Sequence, residues 1–302
     1  MRGFIFPIPD RYTARGLTPP SYNHRVYKLM YKPRLMIVIT LIFFANSNVF
    51  ADLVFSAPPR GTLTEERATY EPLVKAMSQA IGEKVQYVYP RDFNEYSSDM
   101  QKGRYDIVFD GPHFAQWRVT NLHHTILVNL PENLQFIIVT TVAKTTVNTL
   151  NDLLYETVCA QWTPQLGTLM LLQNYYERMA EPNLHLVHGE DKVFSEFANG
   201  KCTAAVLRDK TFFKMSEAER ADYKVIYKSA VAPNDAITVN GKVTGEQRKA
   251  LIALLTNPET AMVAGTIFNR FSKEAVAFHI ANPDQFKGLD QLLLLAFGWR
   301  KK

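Results

Sequence analysis

YDIVFDGPHFAQWR, from Tyr105 to Arg118, is the stretch whose reading decides the fold. Tyr105 to Phe109 is an apolar, β-branched and aromatic run of the kind that makes a buried parallel strand. Asp110-Gly111-Pro112 breaks the run, and a helical pattern begins behind it. In open α/β sheets small ligands sit beyond the carboxyl ends of the strands, which puts Asp110, Gly111, Pro112 and His113 where a ligand would be held. Taken alone, the same residues also read as an ordinary βα turn.

Working back toward the N-terminus, Leu53 to Ala57 reads as a strand, followed by the turn Pro58-Pro59-Arg60-Gly61. Thr62 and Glu65 have capping-box spacing ahead of a helical pattern to about Ile81, with a kink or restart expected near Glu71 because Pro72 lies inside it. Lys84–Tyr89 is a second strand and Phe93 to Lys102 a second helix. The whole is a βαβαβ unit with right-handed crossovers.

Toward the C-terminus, Gln135 to Val142 is β-rich, and Thr149 opens a short helix before a strand at Thr157–Gln161. Thr163-Pro164 has the N-cap and N1 arrangement of a helix reaching Met179. A strand at Leu184–Val187, a helix from Lys192 to Ala198 and a strand at Cys202–Leu207 repeat the α/β order. Val225–Tyr227 and Ile237–Val239 flank Pro233-Asn234-Asp235, which reads as a return to the first lobe. The remainder, from Gly245, is mostly helical. The expected fold is therefore α/β and two-lobed, each lobe a mostly parallel sheet flanked by helices, joined by two hinge crossings. Residues 52–143 with 236–302 would form the first lobe and 144–235 the second. Such a clamp binds a ligand between its lobes and buries it on closing.

Lys32-Pro33-Arg34 precedes the uncharged run LMIVITLIFFA, Leu35 to Ala45, which is too short to span a bilayer as a helix. With Val49-Phe50-Ala51 behind it, this is the pattern of a secretory signal over 30–51 cleaved after Ala51, the alternative being an uncleaved anchor. Residues 1–29, rich in Pro and Arg, read as a non-native or disordered extension. Residues 1–51 hold seven Lys and Arg against Asp10 alone, leaving 27 basic and 28 acidic residues in the remainder. The basicity of the whole chain thus belongs to the leader and gives no support to nucleic-acid binding. Cys159 and Cys202 are the only cysteines; an exported chain with an even count usually pairs them, the alternative being two buried thiols.

The mature part resembles the periplasmic substrate-binding proteins of phosphate, phosphite and phosphonate ABC transporters, a type II periplasmic-binding-protein fold. The resemblance rests on YEPL at Tyr70–Leu73, GRYDIVFDGPHF at Gly103–Phe114, TLNDL at Thr149–Leu153, NGKCTAAVL at Asn199–Leu207 and APNDA at Ala232–Ala236. It implies a periplasmic, monomeric receptor without cofactor, metal or chemistry of its own, which hands a small ligand to an inner-membrane ABC permease. By position it also implies ligand contacts at Phe93, Asp110, the segment Thr163–Thr168 with Gly167 and Thr168, and Asp235.

This chain departs from the family pattern by carrying Asp110 where phosphonate binders usually have an aromatic hydroxyl and Glu190 where they have histidine. A carboxylate facing an oxyanion is unfavourable in a closed cleft. Arg60, Arg208 or His113 would have to compensate; otherwise an amine-bearing zwitterion fits better, its ammonium toward Asp110, Glu190 or Asp235 and its anionic end at the helix start by Gly167-Thr168. Arg208 and Asp209 follow a strand at its carboxyl end and read as site residues or as a surface ion pair. Trp162 and Trp117 could supply a stacking wall, although core packing is the more usual role.

No catalytic signature of the G-x-S-x-G, H-E-x-x-H, C-x-x-C or phosphate-loop type occurs. Two other classes stay open at this level: a periplasmic sensing module coupled to a membrane signalling protein, and an exported hydrolase.

Overall fold

The computed structural model describes residues 52–178 and 180–299. The expected extension, signal and cleavage point lie outside them. Strand β1 (Leu53–Ser56) leads into helix α1 (Leu63–Ile81), which starts on the expected capping box: Thr62 Oγ1 accepts the Glu65 N–H and Glu65 Oε2 accepts the Thr62 N–H. The expected restart at Glu71 does not occur, and α1 runs unbroken through Pro72. Its face of Tyr70, Leu73, Val74 and Met77 is buried, and that packing outweighs the one lost N–H.

Strand β2 (Val85–Tyr87), helix α2 (Phe93–Gln101) and strand β3 (Ile107–Asp110) complete the first unit, and β1 pairs in parallel with both β2 and β3. Helix α3 (Pro112–Leu122) follows with Pro112 at its first position. Strands β4 (Thr125–Asn129) and β5 (Asn133–Leu134) come next, neither of them expected from sequence. Strand β6 (Phe136–Thr141) then leaves the first sheet.

The second lobe continues with a 3-10 turn at Leu150–Leu153, strand β7 (Thr157–Gln161), helix α4 (Leu166–Gln173) and strand β8 (Asn183–Val187). Helix α5 (Glu190–Ala198), strand β9 (Ala204–Arg208), the short helices α6 (Asp209–Phe213) and α7 (Glu217–Arg220) and strand β10 (Tyr223–Lys228) finish it. Its five strands lie in the order β10-β6-β9-β7-β8. Because β6 is hydrogen-bonded to β9 and β10, the chain enters the second lobe before Phe136 and not after residue 143, where the sequence placed the boundary.

The chain returns through β11 (Ala232–Pro233), and β12 (Ala236–Val239) inserts antiparallel between β3 and β4. Helices α8 (Gly245–Thr256) and α9 (Ala261–Phe271), strand β13 (His279–Ile280) and helix α10 (Gln291–Phe297) close the first lobe, a six-stranded sheet ordered β13-β4-β12-β3-β1-β2. The two crossings pair antiparallel as β5 and β11, so the hinge is a two-stranded ribbon.

One apolar body joins the lobes: Tyr96, Phe114 and Trp117 of the first meet Phe136, Leu166 and Leu169 of the second, with Leu292 and Leu293 of α10 between them. Cys159 on β7 and Cys202 just before β9 form a disulfide with Cα atoms 5.6 Å apart, at the base of the second lobe and away from the strands' carboxyl ends.

Candidate functional site

The second-lobe side of the cleft is built on the start of α4 and the end of β9. Sequence placed the cap of α4 at Thr163, but the Thr163–Pro164 peptide is cis and lies in a turn, closed by the Gln165 N–H donating to Trp162 O at 3.1 Å. Gln165 is therefore the cap and Leu166 the first helical residue. The helix stops at Gln173, because Asn174 Nδ2 donates to the Met170 and Leu171 carbonyls. Gln165 also satisfies the N–H groups of Leu166 and Leu169, whereas those of Gly167 and Thr168 have no acceptor among the described residues. The Thr168 hydroxyl is used within the fold, donating to Gln161 O at 2.7 Å. Gly167 has to be glycine: a Cβ there would stand 2.4 Å from the Phe136 ring.

Gly167 and Thr168 line a small recess together with Gln161, Gln165, Glu190 and Arg208. Arg208 ends β9, and its Nε is buried with no hydrogen-bond partner among the described residues. A guanidinium left unpaired against two free helix N–H groups is an arrangement for an anion. Glu190 does not oppose it as a bare charge, since its carboxylate accepts the Arg208 backbone N–H and the Thr211 hydroxyl. Burial nonetheless holds the Glu190 carboxyl above the usual carboxylate range.

Arg60, Gly111, His113 and Asp235 gather on the first-lobe side of the cleft, and none of them lines this recess. Arg60 stacks its guanidinium on Phe271, 4.8 Å from the ring centroid, and reaches Asp235 Oδ2 at 3.5 Å. Burial raises the Asp235 pKa, opposed by Arg60 and more weakly by Arg208, which places both arginines within electrostatic reach of one carboxylate. His113 is buried, its Nε2 lies 3.0 Å from Pro164 O across the cleft, and its Nδ1 has no partner. Burial pushes its pKa down to about 4, so Nε2 carries the proton and donates to the Pro164 carbonyl. Gly111 lets this ring and Asp235 approach the backbone; a Cβ would stand 3.0 Å from His113 Nδ1 and 3.6 Å from Asp235 Oδ1.

Asp110 is matched inside the protein. Arg118 grips both its carboxylate oxygens, Nη1 donating to Oδ2 at 2.7 Å and Nη2 to Oδ1, and the Tyr96 hydroxyl donates to Oδ2. Burial, then the Asp110 charge, pushes the Tyr96 phenol well above its ordinary pKa and keeps it protonated as the donor. The expectation that Asp110 presents an uncompensated carboxylate to the ligand is thus corrected, and the barrier it was expected to raise against an oxyanion falls with it. Arg118 and Tyr96 were missed by sequence reasoning. The signal lay within the quoted stretch: Phe114, Trp117 and Arg118 fall on one helical face, so an arginine on a core face needed a buried partner.

The remaining expected residues are more peripheral. Phe93 is half-buried against Tyr96 and Phe114, with centroids 6.1 and 5.9 Å away. Pro112 is buried at the start of α3. Like Arg60, Gly111, His113 and Asp235, Thr163 and Asp209 line neither cavity found in the cleft. The Asp209 carboxylate accepts the Lys210 N–H instead, and Trp162 is stacked on His188 with centroids 5.3 Å apart.

Beyond the recess, and sharing Glu190 and Arg208 with it, the cleft widens to a cavity of about 400 Å³ between α5–α6 and the end of α9.

The fold is shared with solved structures at low identity. A Xanthomonas citri protein bound to ATP is 14% identical with a TM-score of 0.61, over 80% of this chain and 96% of that one. PhnD1 from Prochlorococcus marinus in complex with methylphosphonate is 13% identical, TM-score 0.58, over 80% and 96%. The binding protein component of a Pseudomonas aeruginosa ABC phosphonate transporter is 19% identical, TM-score 0.53, over 80% and 85%. No curated protein sequence matches the chain. The model of the periplasmic substrate-binding proteins of phosphonate ABC transporters, however, matches residues 55–285, and the chain belongs to that family.

Proposed function

We propose that the cleft captures a phosphonate-class oxyanion at Arg208 and the first turn of α4, for delivery to an ABC permease in the membrane. The observation that carries this reading is the buried, unpartnered Arg208 Nε beside the free N–H groups of Gly167 and Thr168. Asp235, Arg60 and His113 would meet the rest of the ligand from the first lobe. All three carboxylates weighed for an ammonium have partners in the protein, Asp110 in Arg118, Glu190 in the Arg208 N–H and the Thr211 hydroxyl, and Asp235, most loosely, in Arg60 at 3.5 Å. The receptor works as a monomer and catalyses nothing, and it reaches the periplasm through the cleaved leader at 30–51.

Isothermal titration of the purified protein with methylphosphonate, 2-aminoethylphosphonate, phosphate and an amino-acid panel tests the proposal. Binding of at least one phosphonate, weakened by on the order of 10- to 100-fold in Arg208→Ala, is the expected result. Binding of amino acids with silence toward every oxyanion would overturn it.

A further inference from the structure

The cleft holds far more room than a methylphosphonate needs, and the room is unevenly divided. The recess shared by Arg208, Gly167 and Thr168 has a cavity volume of about 10 Å³, space for a group the size of one water, which suits an oxyanion's oxygen. The outer chamber, which shares Arg208 and Glu190 with it as lining residues, holds about 400 Å³. That is within the range of about 300–1,000 Å³ of sites for drug-sized molecules.

The chamber is not simply the gap of a clamp standing open. The lobes already touch at two places, through His113 Nε2 and Pro164 O at 3.0 Å and, in the chamber wall itself, through Lys214 and Glu274 at 3.9 Å. Its walls are polar. The one aromatic face, Phe271, is occupied by the Arg60 and Arg270 guanidinium groups, at 4.8 and 5.4 Å. Lys273 lines the chamber with no hydrogen bond or ion pair to a described residue, and Lys214 meets Glu274 only at the limit of an ion pair. Asp191 adds an acceptor on the opposite wall.

We infer that the ligand is an extended phosphonate or phosphate monoester, whose oxyanion enters the Arg208 recess while a polar substituent ending in an anionic group fills the chamber toward Lys214 and Lys273. The inference rests on the oxyanion reading above and adds the substituent to it. A short or alkyl-substituted phosphonate would leave the chamber wet or its charged walls unpaired.

Isothermal titration of the purified protein with three probes tests it: methylphosphonate, hexylphosphonate, and N-succinyl-2-aminoethylphosphonate, whose tail ends in a carboxylate. The succinylated probe is expected to bind about tenfold or more tighter than methylphosphonate, the worth of one charge-assisted hydrogen bond, with no such gain for the hexyl chain. In the Lys214→Ala/Lys273→Ala variant, whose fold is checked by its unfolding midpoint without ligand, the succinyl-to-methyl affinity ratio falls toward one. Methylphosphonate binding as tightly as the succinylated probe, or a hexyl gain of equal size, overturns the inference and leaves the oxyanion reading standing. Silence toward all three overturns the inference, and it overturns the oxyanion reading as well if phosphate and 2-aminoethylphosphonate are also silent.

Discussion

Arg118 holds Asp110 with both ends of its guanidinium in the floor of the first lobe, and the two side chains are 1% and 0% exposed. A buried pair of this kind contributes little net stability relative to apolar residues, but breaking it from one side strands the other charge. Arg118→Ala is therefore expected to destabilise the protein by about 3–5 kcal/mol, read as a drop in the urea midpoint. Asp110→Asn/Arg118→Met should recover part of that loss.

Arg208 lies at the other extreme, a guanidinium with nothing to hold. Arg208→Ala is expected to weaken oxyanion binding by on the order of 10- to 100-fold, the range of a lost charged hydrogen bond, while the midpoint without ligand stays nearly unchanged. Titration calorimetry with a thermal melt of the same sample reads both. A large fall in the ligand-free midpoint would instead make Arg208 a structural residue.

At Gly167 the Phe136 ring already occupies the space of a Cβ. Gly167→Ala should cost about 1–3 kcal/mol through overpacking, and it should weaken ligand binding by shifting the first turn of α4. Gly200→Ala makes a poor control, since its φ of 76° adds backbone strain; Gly245→Ala, where a Cβ meets nothing, isolates the contact.

Two buried histidines set the acid side of the stability profile. Burial lowers the His113 pKa to about 4, and burial with the Arg118 and Arg248 charges lowers that of His124 to about 3. His113 is also faced by Asp110, Arg60 and Arg118, of which only Asp110 opposes the shift. Both groups are neutral when folded and become protonated on unfolding below about pH 6.5. Their contribution is therefore fully present above pH 6.5 and is lost as pH falls toward 4 and below. Denaturant midpoints measured from pH 7 to 4 should decline, less steeply in His113→Gln.

Reduction of Cys159–Cys202 releases a loop with a sequence separation of 43 and is expected to lower stability by ~4 kcal/mol in the chain-entropy model. Ligand affinity should change little below the melting range, because the bridge lies at the base of the second lobe. Calorimetry with and without reductant checks both.

Most of the architecture was legible because it is written in local patterns. The strand–turn–helix at Tyr105–Arg118, the Thr62 capping box and the βαβαβ succession of the first unit needed only near neighbours. Reading failed where distant partners decided. Strand β6 has no local mark of belonging to the second sheet, and only its pairing with β9 and β10 moves the hinge ahead of Phe136. The start of α4 moved to Leu166 because the Trp162–Gln165 turn took the residues that would have capped it.

The sequence by itself determined two α/β lobes, a cleft at the carboxyl ends of their strands and a pair of cysteines fit to bond, since periodicity, turn residues and the succession of elements along the chain follow from short-range sterics and patterning. Only the tertiary structure decided which charges in that cleft are free to meet a ligand. Asp110 is neutralised by Arg118 on the next helix, Glu190 is held by the end of β9, and Asp235 meets Arg60 from 175 residues away, while Arg208 is left unpaired. Charge compensation is a sum over neighbours in space, and short-range patterning carries almost none of that sum.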